Sequence, residues 1–386
     1  MKKEIKFINY KLYIAIISIL LFLLVVFNIM YRANTVFATA YSNEVYPFWV
    51  KSIGRICDFA TFSVFEMLII LAIIFVLTFA TRLVVLLIKY RKKQVRFYFF
   101  YHLKKYMLNL TCIVLVALLV YSMTCGVNYY RLPFSVSANI TTGQYSVEEL
   151  NEFCIALAKD ANEFSKHIDT DENGIFTTDN IDLADEASKA MKALSVKYPC
   201  LTGYYPSAKP IAFSKFMSYS NICGIYSPFT IEANYNDHMP DMEKPYTICH
   251  ELSHLSGYML EDEANFISYL GCMESENYAF KYSATLMAFV YVSNQLWEWE
   301  TDDEYSEVME MLNEQVNRDL EAQYDYWNSE EIEVEIQIGD TEINMSEVSS
   351  NINNSYLQVN GLEEGVASYD HVTDLLLAHY YSNKNK

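Results

Sequence analysis

Hydrophobic and polar positions divide this chain into two unlike parts. Leu12 to Met30 is an uncharged run of 19 residues, Met67 to Ile88 a run of 22 interrupted only by Arg82, and Met107 to Val127 an uncharged run of 21. At about 1.5 Å of rise per residue, each run is long enough to cross a hydrocarbon core of about 30 Å as a helix. None carries the polar face of a helix at a soluble surface, so three N-terminal transmembrane α-helices are expected, at about 12–30, 67–88 and 107–127. Arg82 lies about two turns from the end of its run, close enough to snorkel toward the interface.

Beyond residue 130 the periods become those of a folded domain. Ser146 and Glu149 form a capping box ahead of Leu150, Phe153 and Leu157, and a second helical stretch runs near Leu183 to Leu194. Lys209 to Asn236, rich in aromatic and β-branched residues and punctuated by Gly and Pro, reads as extended. A helix starts at Pro245, and Tyr282 to Trp299 and Glu304 to Tyr326 read as helices. Ile332, Val334, Ile336 and Ile338 alternate with Glu or Gln and lead into Gly339-Asp340, a two-residue hairpin turn; Val372 to Tyr381 reads as a terminal helix. The expected architecture is a membrane domain, 1–130, followed by a mainly α, α+β domain with a small sheet, 131–386, with no internal repeat and no Pro/Gly/Ser linker.

Charge sharpens this division. The net charge is -20, but residues up to Tyr130 hold 15 basic and 4 acidic side chains, or +11, and the remainder holds 13 and 44, or -31. An acidic folded part argues against nucleic acid as a partner, and 52% hydrophobic residues with 15% aromatic exclude a disordered chain. Lys2, Lys3, Lys6 and Lys11 precede the first run, and seven cations from Lys89 to Lys105 separate the second and third, whereas Asn34 to Ser63 has only Lys51 and Arg55. The positive-inside rule then makes the N-terminus cytoplasmic and everything after Arg131 extracytoplasmic, in a multi-pass protein of the cell membrane whose partners are the lipid bilayer and a peptide or protein substrate. A competing reading takes Ala38-Thr39-Ala40 as a signal-peptidase site, which leaves the last domain on the same side. Five cysteines in the external part, irregularly spaced, describe no disulfide framework; Cys200 and Cys223 could pair across the extended segment, but buried thiols are the favoured reading.

The chemistry concentrates in His250-Glu251-Leu252-Ser253-His254. On a helix the two histidines face the same way one turn apart, so both imidazoles reach one Zn²⁺ while Glu251 stands beside them as general base. A catalytic site needs a third protein ligand, and Gly257 permits the left-handed turn that sends the chain back across the metal. Glu261 and Glu263 both qualify. Glu261 is favoured because Asn265 follows it by one turn and can hydrogen-bond a ligand histidine from behind, whereas Ile267 occupies that position relative to Glu263. Upstream, Asp169, Asp171, Asn173 and Gly174 match the start of a Ca²⁺ loop, but Asn180 stands where a bidentate Glu is required, which favours a polar turn.

A HExxH helix followed by Glu261, Ala264 and Asn265 resembles the zincin metallopeptidases of the Glu-ligand type, whose third-ligand helix often reads Glu-x-x-Ala-(Asp/Asn/Glu). The longer pattern Lys209-Pro210, Phe213-Ser214-Lys215, Gly224 to Asn236, Cys249 to His254, Glu261 to Phe266 and Gly365 to Tyr369 is similar to an uncharacterised bacterial family of multi-pass membrane proteins. That resemblance implies a zincin-like extracytoplasmic domain binding one Zn²⁺ per chain, held by His250, His254 and a third-ligand Glu, and it leaves Glu261 and Glu263 both open, because the spacing from His254 is short beside the Glu-type enzymes.

The expected function is a membrane-anchored zinc metallopeptidase, in which Phe229 to Asn236 forms an edge strand for substrate and Tyr369, His371, His238 and Tyr258 are candidate oxyanion donors. The alternative is a zinc-binding membrane sensor or scaffold that holds a peptide or wall ligand without cutting it. Cleavage inside the bilayer is disfavoured, because the motif lies more than a hundred residues beyond the last apolar run.

Overall fold

A computed structural model describes residues 9–92, 95–299, 302–329, 332, 334–338, 341–362 and 371–384. Among the described residues, three helices are long and apolar enough to cross a membrane: Tyr10–Ala33, Val64–Lys89 and Arg96–Thr124. The third differs from expectation at both ends. It starts upstream of its apolar run and takes Lys104 and Lys105 onto the helix, leaving only Tyr90 to Val95 as connector. It stops at Thr124, because Cys125 leaves helical geometry and Gly126–Tyr130 continues as a 3₁₀ turn. The first and third spans are stapled near both ends, by Tyr13 donating to Asn109 at 2.5 Å and Asn28 donating to Ser122 at 3.1 Å. Such bonds are favoured where lipid offers no alternative partner.

The segment between the first two spans folds back into the main domain. Its helices and turns, Thr35–Glu44 through Arg55–Asp58, bury Ala38, Tyr41, Tyr46 and Val50 in the same core cluster that contains Leu150, Leu252, Phe280 and Leu376. Tyr46 donates to the carbonyl of Leu255, and Asp58 accepts from Tyr204 and the amide of Ser207. One core therefore runs across the expected boundary at residue 130, and the domain is assembled from both sides of it.

The helical part is built as the amphipathic periods require. Val147–Phe164 begins at the Ser146 capping box, and Leu183–Lys197 at Asp182. The expected 304–326 helix is two, Asp302–Glu310 and Glu314–Trp327, because Asn313 caps a new start by accepting from Val316. Glu335–Ile338 and Thr341–Asn344 pair antiparallel with Ile338 opposite Thr341, the register of a two-residue turn; Gly339 and Asp340 lie outside the described residues. All eight cysteines are free thiols, Cys200 and Cys223 included.

The expected extended stretch 209–236 is interrupted. Three short strands, β1 (Lys209–Pro210), β2 (Gly224–Ser227) and β3 (Glu232–Tyr235), surround a helix, Ser214–Tyr219. Their order is β1-β3-β2: β3 is central, parallel to β1 and antiparallel to β2, with Ile225 opposite Asn234. β3 is thus not an edge, since both of its sides are hydrogen-bonded. β2 is.

This sheet is fastened to the second span. Glu232, 2% exposed, accepts from Lys209 Nζ at 2.6 Å and from the amides of Val64 and Phe65 at 3.1 and 2.8 Å, satisfying donors in the first helical turn. Glu66 reaches the other way and accepts from the amides of Ala212 and Phe213. Removing one partner of a buried ion pair leaves the other charge uncompensated, so Glu232→Ala should lower stability by about 3–5 kcal/mol. Thermal unfolding of the full chain in detergent or nanodiscs measures it; a melting temperature equal to wild type contradicts the role.

Candidate metal centre

The helix carrying the motif, Lys244–Leu255, has Pro245 in its first turn and is buried around nearly its whole circumference. Its end is a Schellman turn. The amides of Gly257 and Tyr258 donate to the carbonyls of His254 and Ser253, and Gly257 takes φ +93°, a left-handed conformation that only glycine adopts without strain. Arg131 braces this turn from behind. It donates to the Gly257 carbonyl, the Tyr258 hydroxyl and Asn43, with its guanidinium 3.9 Å from the centre of the Tyr258 ring. The chain then re-enters a helix, Glu261–Met273, whose acidic first turn suits the positive end of the helix dipole.

That reversal brings three side chains together. The rings of His250 and His254 are 4.6 Å apart, centre to centre, and their Nε2 atoms lie 3.2 and 3.5 Å from Glu261 Oε2. The three potential ligand atoms fall within 4.8 Å of one another, a set that can hold one metal ion. In the neutral ring, His254 Nδ1–H donates to the Tyr258 carbonyl at 2.8 Å, which turns the Nε2 lone pair toward Glu261. The glycine turn therefore also orients one imidazole.

The electrostatics are those of charges taken out of water together. Burial opposes ionisation of Glu261, but His254 and His250 outweigh it and hold the carboxyl well below the usual carboxylate range. Burial likewise opposes the charged form of His254, and Glu261 and Glu251 reverse this, raising it to about 9. Burial pushes Glu251 up to about 7 against the pull of both histidines. Its Oε2 has no hydrogen-bond partner among the described residues, and neither do His250 Nδ1 and Asn265 Nδ2. The expected bond from Asn265 to a histidine is thus not formed, although Asn265 lines the same cleft.

Glu263 goes elsewhere: it accepts from the amide of Phe134, at the start of the short helix Phe134–Ser137. Burial, with Asp262 beside it, pushes Glu263 up to about 8. The cleft has a volume of about 660 Å³. Among the four candidate oxyanion donors, Tyr369 lies outside the described residues. The Tyr258 hydroxyl is engaged by Arg131, His238 meets Tyr326 at 2.9 Å, and His371 acts on Asp262; none of these three lines the cleft. In the 169–174 turn, Asp171 Oδ1 accepts from the amides of Asn173 and Ile175, so this oxygen is occupied in shaping the turn.

Several cleft residues were not legible from the motif. Cys223 to Tyr226, ending in the edge strand β2, form one wall; Tyr129 enters from the 3₁₀ turn that follows the third span; Ser346, Ser349, Ser350, Asn353 and Tyr356 roof it from the helix Met345–Val359. Burial first, then Cys125 and Glu261, raise the Tyr129 hydroxyl well above its ordinary value, so it remains a proton donor. Gly224 is small for a reason. A Cβ there would lie 2.7 Å from Glu251 Cγ and 2.8 Å from Cδ. Gly224→Ala should therefore cost about 1–3 kcal/mol by overpacking, read as a lower melting temperature; an unchanged one would show that Glu251 has another rotamer open to it.

A family model described as "Protein of unknown function (DUF3810)" matches residues 41–377, and the chain belongs to that family. No curated protein and no solved structure matches it. The matched range begins in the segment between the first and second spans, so it includes that segment from Tyr41 onward, with Tyr46 and Val50 that pack into the core.

Proposed function

We propose that this DUF3810 protein is a membrane-anchored zinc metallopeptidase with a zincin-like domain, acting at the extracytoplasmic face. The observation that carries the reading is the convergence of His250 Nε2, His254 Nε2 and Glu261 Oε2, with Glu251 beside them in the cleft. A tetrahedral ion with bonds of about 2.0–2.2 Å keeps adjacent ligand atoms about 3.3–3.6 Å apart, close to the 3.2 and 3.5 Å found here. The donor set of two imidazoles and one carboxylate suits Zn²⁺ and leaves a coordination position open.

Bound there, Zn²⁺ supplies a Lewis acid that polarises a peptide carbonyl and lowers the pKa of water to about 7. Glu251 takes the proton of the attacking water and passes it to the leaving amine as the peptide C–N bond breaks. The outer edge of β2 offers main-chain groups to an extended substrate, and the Tyr129 hydroxyl donates to the carbonyl oxygen as negative charge develops on it. Lys89, Arg91, Lys92, Lys104 and Lys105, at the ends of the spans remote from the cleft, support a cytoplasmic position for that side.

The full chain, purified without chelator, should contain about one zinc per molecule, and His254→Ala should lose it. Glu251→Gln should retain zinc and fold while peptidase turnover falls by about 10²–10⁴-fold. Protein that never takes up zinc, or Glu251→Gln with full turnover, contradicts the assignment.

A further inference from the structure

We propose that the domain carrying the cleft does not stand clear of the membrane but is seated in its surface by an apolar collar around the mouth of the second span. This seat is independent of the zinc chemistry. The collar consists of Ile56, Phe59, Phe62, Phe213, Phe216 and Phe229, and the five phenylalanines are exposed by between 42% (Phe229) and 86% (Phe59). They come from three separate segments. What unites them is a shared attachment to the first turn of the helix Val64–Lys89.

Phe62 precedes Ser63, whose side chain caps that helix. The amide of Phe213 donates to Glu66 at 2.9 Å, and Phe216 follows Phe213 on the short helix Ser214–Tyr219. Phe229 lies in the β2–β3 turn, three residues before Glu232, whose carboxylate holds the amides of Val64 and Phe65. The collar is thus continuous with an apolar span and lies where that span leaves the hydrocarbon. Exposed rings of this size in one patch mark a binding surface, and an apolar face of this kind sinks about 5–10 Å into the headgroup and acyl boundary.

Charge favours lipid over a protein partner. The external part is strongly acidic, yet the acids of this patch are all turned inward: Asp58 to Tyr204 and Ser207, Glu66 to Ala212 and Phe213, Glu232 to Lys209. The exposed charges that remain among the rings are cationic, Lys215 and Arg55. Apolar rings with interspersed cations fit a bilayer containing anionic lipid.

Photocrosslinking in native membranes tests the seat with the full chain. p-Benzoylphenylalanine in place of Phe216 or Phe229 should form lipid adducts at a yield at least about tenfold above the same probe at Glu172, an exposed position in the 169–174 turn. Phe59 is a further probe position with the same expectation, because at 86% exposure its replacement disturbs no packing. Lipid yields at these positions no higher than at Glu172 overturn the proposal. So do adducts with a second copy of the chain or with another protein in place of lipid.

Discussion

Keeping a carboxylate between two imidazoles, away from water, is the constraint around which the domain is arranged. Glu261 is 9% exposed, and it remains ionised there because His250 and His254 converge on one of its oxygens. Histidines and carboxylate lie on successive helices, so the chain must reverse within a few residues, at a fixed angle, without leaving buried amides unpaired. The Gly257 turn satisfies all three conditions, and its Tyr258 carbonyl also orients His254. Arg131 holds the turn, Asn43 holds Arg131, and through them the segment between the first two spans supports the centre.

Patterns with a short period were legible in the sequence. Three apolar runs gave three helices, the Ser146 capping box gave the start of Val147–Phe164, and HExxH with Gly257 gave two helices facing each other across a turn. Glu261 and Glu263 were separable only weakly, because two residues on a helix turn by about 200°, and which face looks at the histidines depends on the entry angle. The structure resolves the geometry by giving Glu263 to the amide of Phe134, a residue 129 positions away in the chain.

What sequence could not supply was long-range pairing. Phe229 to Asn236 was expected at an edge, but β3 is the central strand, and β2 is the edge beside Glu251. Tyr129 lies two residues beyond the third apolar run and was given no role, yet it lines the cleft with Glu261. Distance along the chain is no measure of distance in space here. More than a hundred residues separate the third span from the motif, and the fold returns the motif to that span's end.

The Tyr226 hydroxyl lies 3.1 Å from the carbonyl of Thr124, the last residue of the third helical span, and 2.8 Å from the Tyr46 hydroxyl, and it can donate to one or the other. Tyr226 belongs to the edge strand that walls the cleft. The cleft is therefore joined to the end of a candidate membrane span through one side chain, in addition to the Glu232 and Glu66 bonds that fasten the sheet to the second span. In the peptidase proposed above, this would make the cleft a ruler: each cut would be measured from the bilayer, and a polypeptide carrying its susceptible bond too far from its own anchor would be passed over whatever its sequence.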